Sequence, residues 1–331
     1  VEFWVTQLKK NVNTTNRLKS IISVTAQEEA AIAAIDTRWG TTAYFAGLMD
    51  KSDPDCPIRK QVIPSMAEVR ALRSERASKS PPRTGDPTPD SIVRKYPDRV
   101  AFIVTDRCAS YCRFCFRKER VMMRVKFPPI DLEEGLRWIR ASRQIRDVLV
   151  TGGDPFILSD DKIEYLVRRL REIPHVEMIR FGTRVPVVLP QRITPSLCAI
   201  LGGFHRVPVW INTHCNHPKE ITVHTATAVY ALLASGVNVG NQAVLLKGIN
   251  DDEKTLCTLH QRLLSIRIRP YYLFHCDKAP GNDAFRTPEA LGEILLHRAL
   301  SHKTGLARPL YAVDAENGKH TNPFHASGIY P

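Results

Sequence analysis

No stretch of this chain approaches the roughly 20 consecutive apolar residues that a bilayer-spanning helix needs, and its opening VEFWVTQLKK lacks the short hydrophobic run of a signal peptide. A membrane is therefore not an expected partner, and a cytoplasmic location is expected. Cysteine is also scarce. Eight in 331 residues are too few for a disulfide framework, yet three of them crowd into Cys108–Cys115. That crowding points to metal chemistry in a reducing compartment. What the stretch lacks in turn is a fourth thiol beside the three.

The length allows a large buried core, in one big domain or two ordinary ones, and 43% apolar with 24% charged residues reads as globular. Lys and Arg outnumber Asp and Glu by 47 to 34, a formal charge of +13. A nucleic-acid surface would gather that charge on one face, because counterion release rewards a dense cationic patch. Here the residues are dispersed. Only Arg113/Arg117/Lys118/Arg120/Arg124 and Arg168/Arg169/Arg171 form groups, and the second reads as a solvated helix face. The charge suits anionic cofactors, and nucleic acid is not the expected partner.

Residues 1–76 carry helix-like runs such as TAQEEAAIAAIDTRW and PSMAEVRALRSERA, with apolar positions at helical spacing. Residues 77–91, rich in Pro, Ser, Asp and Gly, read as a linker. Then short β-branched runs alternate with amphipathic segments. Six strands are expected at 101–105, 147–152, 177–183, 208–214, 238–246 and 269–275, separated by connections long enough for crossover helices. The expected fold is α/β, with parallel units curling into an open or closed barrel over 92–290 and a C-terminal segment over 291–331. Chemistry in such a sheet belongs on the loops after the strands' carboxyl ends.

Cys108, Cys112 and Cys115 lie on the first of those loops. Their spacing can bring three thiolates to one metal centre. A structural zinc would need a distant fourth ligand, whereas a [4Fe-4S] cluster held by three cysteines keeps one iron open. Cys-x3-Cys-x2-Cys with Tyr111 and Phe114 before the second and third cysteines resembles the signature of radical S-adenosylmethionine (SAM) enzymes. In that superfamily the open iron holds the amino and carboxylate groups of SAM.

The resemblance is narrower than the superfamily. KYPDRVAFIVTDRCASYCRFCFRK, LVTGGDPFILSD, LREIPHVEMIRFGTRVPVVLPQRIT, INTHCNHPKEIT, GNQAVLLKGIND and IRIRPYYLFHCDKAPGNDAFRT resemble, in this order, blocks of the lysine 2,3-aminomutase family. The likeness covers residues from about 50 to 315 and implies a partial (β/α)6 radical SAM barrel with an N-terminal helical extension. It also implies a [4Fe-4S] cluster, SAM and pyridoxal phosphate (PLP), an external reductant such as flavodoxin or ferredoxin, and an isomerase that moves an α-amino group to the β-carbon.

On the residues themselves, Gly152-Gly153-Asp154 follows a strand, and paired glycines there let backbone come close to a ligand. By resemblance that ligand is SAM, with His214 at a later strand end as a further contact, alongside Asn216 and His217. Tyr96 and Arg99 match residues at the PLP phosphate, which a planar guanidinium can bind with two hydrogen bonds. Lys95 stands where the family pattern has another arginine. Gln242 matches a polar residue of the cofactor pocket, and Lys319 the lysine that binds PLP covalently, although the connection from Asp314 is shorter than in the family and lacks its run of glycines.

For the substrate, Arg117 matches the family's carboxylate clamp, and Asp277 and Asp314 match the two acids that hold a distal ammonium. Two carboxylates in one pocket ionise comfortably only around a cation, so a cationic amino acid is implied. Lysine fits best, and arginine would need a longer pocket. Other readings of the residues are a PLP-independent radical SAM enzyme acting on RNA or a peptide, and a basic module built on a zinc loop. Longer family members bind zinc through C-terminal cysteines across subunits. The last cysteine here is Cys276, so no such zinc is expected and a homo-oligomer would be built otherwise. Cys56, Cys198, Cys215 and Cys257 lack ligand spacing and are expected to be small buried residues.

Overall fold

The computed structural model describes residues 3–75, 88–123, 127–315 and 318–320, with the side chains of 75, 315 and 318–320 outside the description. Most of the expected 77–91 linker, to residue 87, also lies outside the described residues.

A sheet of nine strands runs in chain order. Its members are β1 (Ile92–Val93), β2 (Arg99–Thr105), β3 (Asp147–Gly152), β4 (Met178–Gly182), β5 (Val209–Thr213), β6 (Asn238–Leu245), β7 (Arg269–His275), β8 (Leu310–Ala315) and β9 (Gly318–His320). Strands β2 to β8 pair parallel, each with the next, while β1 and β9 add antiparallel at the two edges. Helices fill the crossovers at Leu132–Ala141, Asp160–Arg171, Pro195–Leu201, Val223–Ala234, Glu253–Ser265 and Leu291–Leu300. Their starts are set locally: Asp131, Thr194, Thr222 and Asp252 each accept a hydrogen bond from the first turn, and Pro195 takes a position where its missing N–H costs nothing.

The six expected parallel strands are all present, and a seventh, β8, continues the sheet past residue 290 into the C-terminal segment. The reading of six stopped short because β1 and β9 are two and three residues long, too short to show a period, and LYAVDA lies beyond a long Pro- and Gly-containing connection.

Alternation along β4 and β6 explains how the sheet holds both a core and a site. Ile179, Phe181, Val239, Asn241 and Ala243 point outward under the helices and are buried, while Arg180, Gln242 and Val244 face the concave side and are partly accessible. Among the described residues the backbone ladder does not close, but side chains reach across between its edges. Lys95, just before β2, reaches Asp314 of β8 at 3.3 Å, and Tyr96 and Arg99 come within electrostatic reach of Tyr272 on β7. The sheet is curled, so that side chains near its two edges come together.

The N-terminal helices are not an appendage. Trp4, Phe45, Ile58 and Val62 share one continuous core with Phe102, Val150 and Phe181. Burying them against the barrel stabilises helices that are individually too short to stand alone in water. The expected runs fold as Ala26–Ala34, opened by a Thr25/Glu28 capping box, and Met66–Glu75. Cys56, Cys198 and Cys215 are buried as expected, while Cys257 is only half-buried.

Candidate active site

The cysteine loop leaves β2 and is held by the N-terminal region, through the loops between its helices and the helix Pro57–Val62. Asn11 donates to the Ala109 carbonyl (3.0 Å), Ser110 donates to the Thr41 hydroxyl (2.8 Å), and the backbone N–H groups of Tyr111 and Arg113 donate to the carbonyls of Gly40 and Gln61. From the other side Asn282 donates to the Phe114 carbonyl at 3.0 Å.

The strongest hold is ionic. Arg113, between the second and third cysteines, makes a two-pronged pair with Glu68 (2.9 and 2.7 Å), and Lys118 reaches the same carboxylate at 2.9 Å. All three are essentially inaccessible to solvent. Burial would push the Glu68 carboxyl up, but Arg113 and Lys118 hold it below its ordinary value. The first basic group of the sequence is therefore no surface patch: two of its members are internal counter-charges.

The three thiols lie within electrostatic reach of one another. Burial drives the Cys108 and Cys115 thiols up, Cys115 to about 11, and neighbouring sulfurs add to the rise. As free groups they would keep their protons, so ligation has to expel them. Among the described residues no three His, Cys, Asp or Glu side chains, these thiols included, are arranged tightly enough to hold a single ion.

Arg184, just after β4, is the hub beside them. It donates to the Cys112 sulfur (2.7 Å), the Gln61 side-chain oxygen (2.5 Å) and the Glu220 carboxylate (2.9 Å). Its backbone N–H donates to Asp154, which also accepts from the Thr183 hydroxyl at 2.6 Å and the Phe156 N–H. The Asp154 carboxylate thus braces the ends of β3 and β4.

The paired glycines turn out to serve a protein contact. Gly152 has φ of 129°, and a Cβ on Gly153 would lie 2.0 Å from the Arg107 carbonyl oxygen. The N–H of Gly153 and of Asp154 donate to the carbonyls of Thr105 and Arg107 at 2.6 and 2.8 Å. The start of the cysteine loop comes close to the backbone here and is stitched to β3 along this edge.

Along the end of β5, buried polar atoms stand without protein partners: Asn212 Nδ2, Thr213 Oγ1 and His214 Nε2. The His214 ring stacks on Phe114 (5.4 Å between centroids), and burial, with Arg184 nearby, pulls its pKa down to about 3, so it is neutral. Asn216 and His217 have structural work. Asn216 links Gln61 to β6, and His217 caps the turn at Pro218–Glu220.

Arg117 donates to the Thr151 hydroxyl at 2.9 Å and lies over the Phe116 ring. Burial pulls it below its ordinary pKa against the fields of Cys115, Cys108 and Asp277, which places Asp277 in the same neighbourhood. Phe274 and Ala312 are in register, so Asp277 and Asp314 both lie at the carboxyl ends of adjacent strands. Arg99 stacks on Tyr96 at 3.9 Å at the opposite, amino-terminal end of β2, across the gap from Tyr272, and Gln242 faces the concave side. The Lys319 backbone pairs with Asp314 across the β8–β9 turn, while its side chain lies outside the described residues.

Residues 102–259 match the radical SAM superfamily. The L-lysine 2,3-aminomutase of Clostridium subterminale is 40% identical over 323 residues, covering 97% of this chain and 77% of that protein. The L-lysine 2,3-aminomutase of Bacillus subtilis is 40% identical over 321 residues, covering 95% and 67%. The glutamate 2,3-aminomutase of Clostridioides difficile is 39% identical over 321 residues, covering 96% and 75%.

The chain belongs to the lysine 2,3-aminomutase family of radical SAM enzymes. It is an isomerase of that family, whose members use a [4Fe-4S] cluster, SAM and PLP. The residues present fit those groups. Three thiols of one loop lie within electrostatic reach of one another beside the buried cations Arg113, Arg117, Lys118 and Arg184, and orphaned polar atoms line the end of β5. In an aminomutase frame, sequence reasoning had missed Glu68, Gln61, Arg184 and Glu220. Only Arg184 carried a local signal, as the last residue of a Gly-Thr-Arg run closing a strand.

Proposed function

We propose that this aminomutase converts L-lysine to β-lysine. Overall likeness does not choose the substrate, since relatives named for lysine and for glutamate are 40% and 39% identical to the chain. The observation that carries the reading is the contact of Lys95 Nζ with Asp314 at 3.3 Å. It is an ammonium seated on the carboxylate that would receive the substrate's own ammonium. Both partners are about a third exposed (35% and 38%), so the pair contributes only about 0–1 kcal/mol and can yield to a substrate cation. A glutamate side chain would meet repulsion at the same place from Asp314 and Asp277.

In this reading Arg117 takes the substrate carboxylate, Asp277 and Asp314 take the ε-ammonium, and Tyr96, Arg99 and Gln242 hold PLP, with Lys319 as its covalent anchor. Gly152, Gly153, Asp154 and His214 edge the SAM site, and Cys108, Cys112 and Cys115 hold the cluster. When bound, the cluster and SAM would supply the radical chemistry and PLP would supply activation of the amino group that moves. The chain's residues orient the substrate and keep water out. The neutral His214 adds no charge to the SAM site, and the buried Arg113–Glu68–Lys118 group keeps the cysteine loop rigid. A small one-electron donor protein such as flavodoxin or ferredoxin would deliver the reducing electron.

The test is anaerobic incubation of the reconstituted enzyme with SAM, reductant and lysine, arginine, ornithine or glutamate in turn. Lysine should give the β-amino acid fastest, and turnover of glutamate alone would overturn the assignment of Asp277 and Asp314. Borohydride reduction of the holoenzyme followed by peptide mapping should place PLP on Lys319. A label elsewhere would remove that residue from its role.

A further inference from the structure

Arg184 is 7% exposed, and its guanidinium is enclosed between the rings of Phe45 and Phe114, 5.1 and 5.6 Å from the ring centroids. A buried guanidinium needs a counter-charge, which Glu220 supplies at 2.9 Å. Glu220 is itself held in place, its other oxygen accepting from Gln61 Nε2 and from the backbone N–H of Asn216 and His217 at 3.0–3.1 Å. One nitrogen of Arg184 is therefore anchored to Glu220 and Gln61. The other, Nη1, is left to point at the Cys112 sulfur, 2.7 Å away. Neutralising Glu220 does not require that second contact.

We propose that Arg184 is a positioning residue of the cluster, donating a hydrogen bond to the Cys112 sulfur that raises the cluster's reduction potential. When the cluster accepts one electron from an external low-potential donor, negative charge on its thiolate ligands grows. A fixed N–H and a positive charge at one of those sulfurs then stabilise the reduced form more than the oxidised one. The aim is set from outside the cysteine loop, by the anchor on Gln61 and Glu220. The backbone N–H of Arg184 also holds Asp154 at 2.8 Å, so the same residue ties the sulfur to the edge of β3. The inference rests on the family's [4Fe-4S] cluster binding at Cys108, Cys112 and Cys115.

The test uses reconstituted full-length protein, with the cluster reduced by graded dithionite and followed by electron paramagnetic resonance. Arg184→Gln should keep its iron and sulfide content while its midpoint moves to a more negative potential. Arg184→Lys, which keeps the charge but cannot reach Glu220 and the sulfur together, should fall between. An unchanged midpoint in a fully loaded Arg184→Gln protein overturns the proposal. Should the variants not fold, wild-type protein labelled with 15N-arginine provides the second measurement. A 15N coupling to the reduced cluster that survives Arg117→Lys is expected, and its absence overturns the proposal. Wild-type protein that takes up no [4Fe-4S] cluster would overturn both this inference and the cluster assignment beneath it, and would be recognised before any variant is compared.

Discussion

At the scale of single residues, the site pairs charges of very different worth. Lys95–Asp314 is a partly solvated contact, and Arg184–Glu220 is a buried one. Removing one partner of each should therefore have different consequences. Asp314→Asn should leave folding unchanged and raise the KM for lysine roughly tenfold or more, the loss of one charge-assisted hydrogen bond of about 1.5–3 kcal/mol. Steady-state kinetics beside a melting curve checks it, and an unaltered KM would take Asp314 out of the substrate pocket. The cysteines were legible because they form a short motif with its own chemistry, whereas the Gly-Gly-Asp run and the widely separated Asp277 and Asp314 were singled out by resemblance to the family. Glu68 and Gln61 were not, since their partners lie 45 and 123 residues away in the chain and nothing local marks them.

At the scale of elements, the cysteine loop depends on a helix that comes well before it. The helix Met66–Glu75 brings a single carboxylate to two cations of that loop, and Glu68→Gln would leave Arg113 and Lys118 buried without a counter-charge. The expected cost is about 3–5 kcal/mol of stability, read by denaturant unfolding, together with weaker retention of the cluster. Stability within about 1 kcal/mol of wild type would show that the two cations find other partners. The strands behave differently. Short β-branched runs separated by amphipathic segments mark the six parallel strands, which is why they were readable from pattern, and β4 and β6 also alternate buried and accessible residues. β8 and the edge strands were not, because their pairing is decided by neighbours and not by their own composition.

For the whole molecule, buried histidines link stability to pH. The ring of His260, under the helix Leu291–Leu300, bonds to the Ala307 carbonyl, and burial brings its pKa down to about 4. Its folded pKa is below the ordinary 6.5, so between those values the unfolded chain binds the proton and the folded one does not. Stability is therefore lost as pH falls from about 6.5 toward 4, and His214 contributes in the same window in the metal-free protein. Glu68 acts lower, because its depressed pKa keeps its contribution above the ordinary carboxylate value of 4.5 and loses it only as pH drops through the folded value. His260→Gln should flatten the loss between pH 7 and 5 by about 2 kcal/mol. Urea unfolding at both pH values measures it, and an unchanged difference would mean that His260 charges inside the fold.

By itself the sequence determined the parallel α/β class, the three-thiol loop after the first long strand, and the family. These follow from spacing and period, which are local properties of the chain. Only the tertiary structure decided that the N-terminal helices frame the cluster loop, that the Gly-Gly turn is closed by Thr105 and Arg107, and that Arg184 aims at Cys112. Each of those depends on a buried polar group finding a partner far along the chain. Desolvation makes that pairing obligatory, but only the fold says which partner arrives.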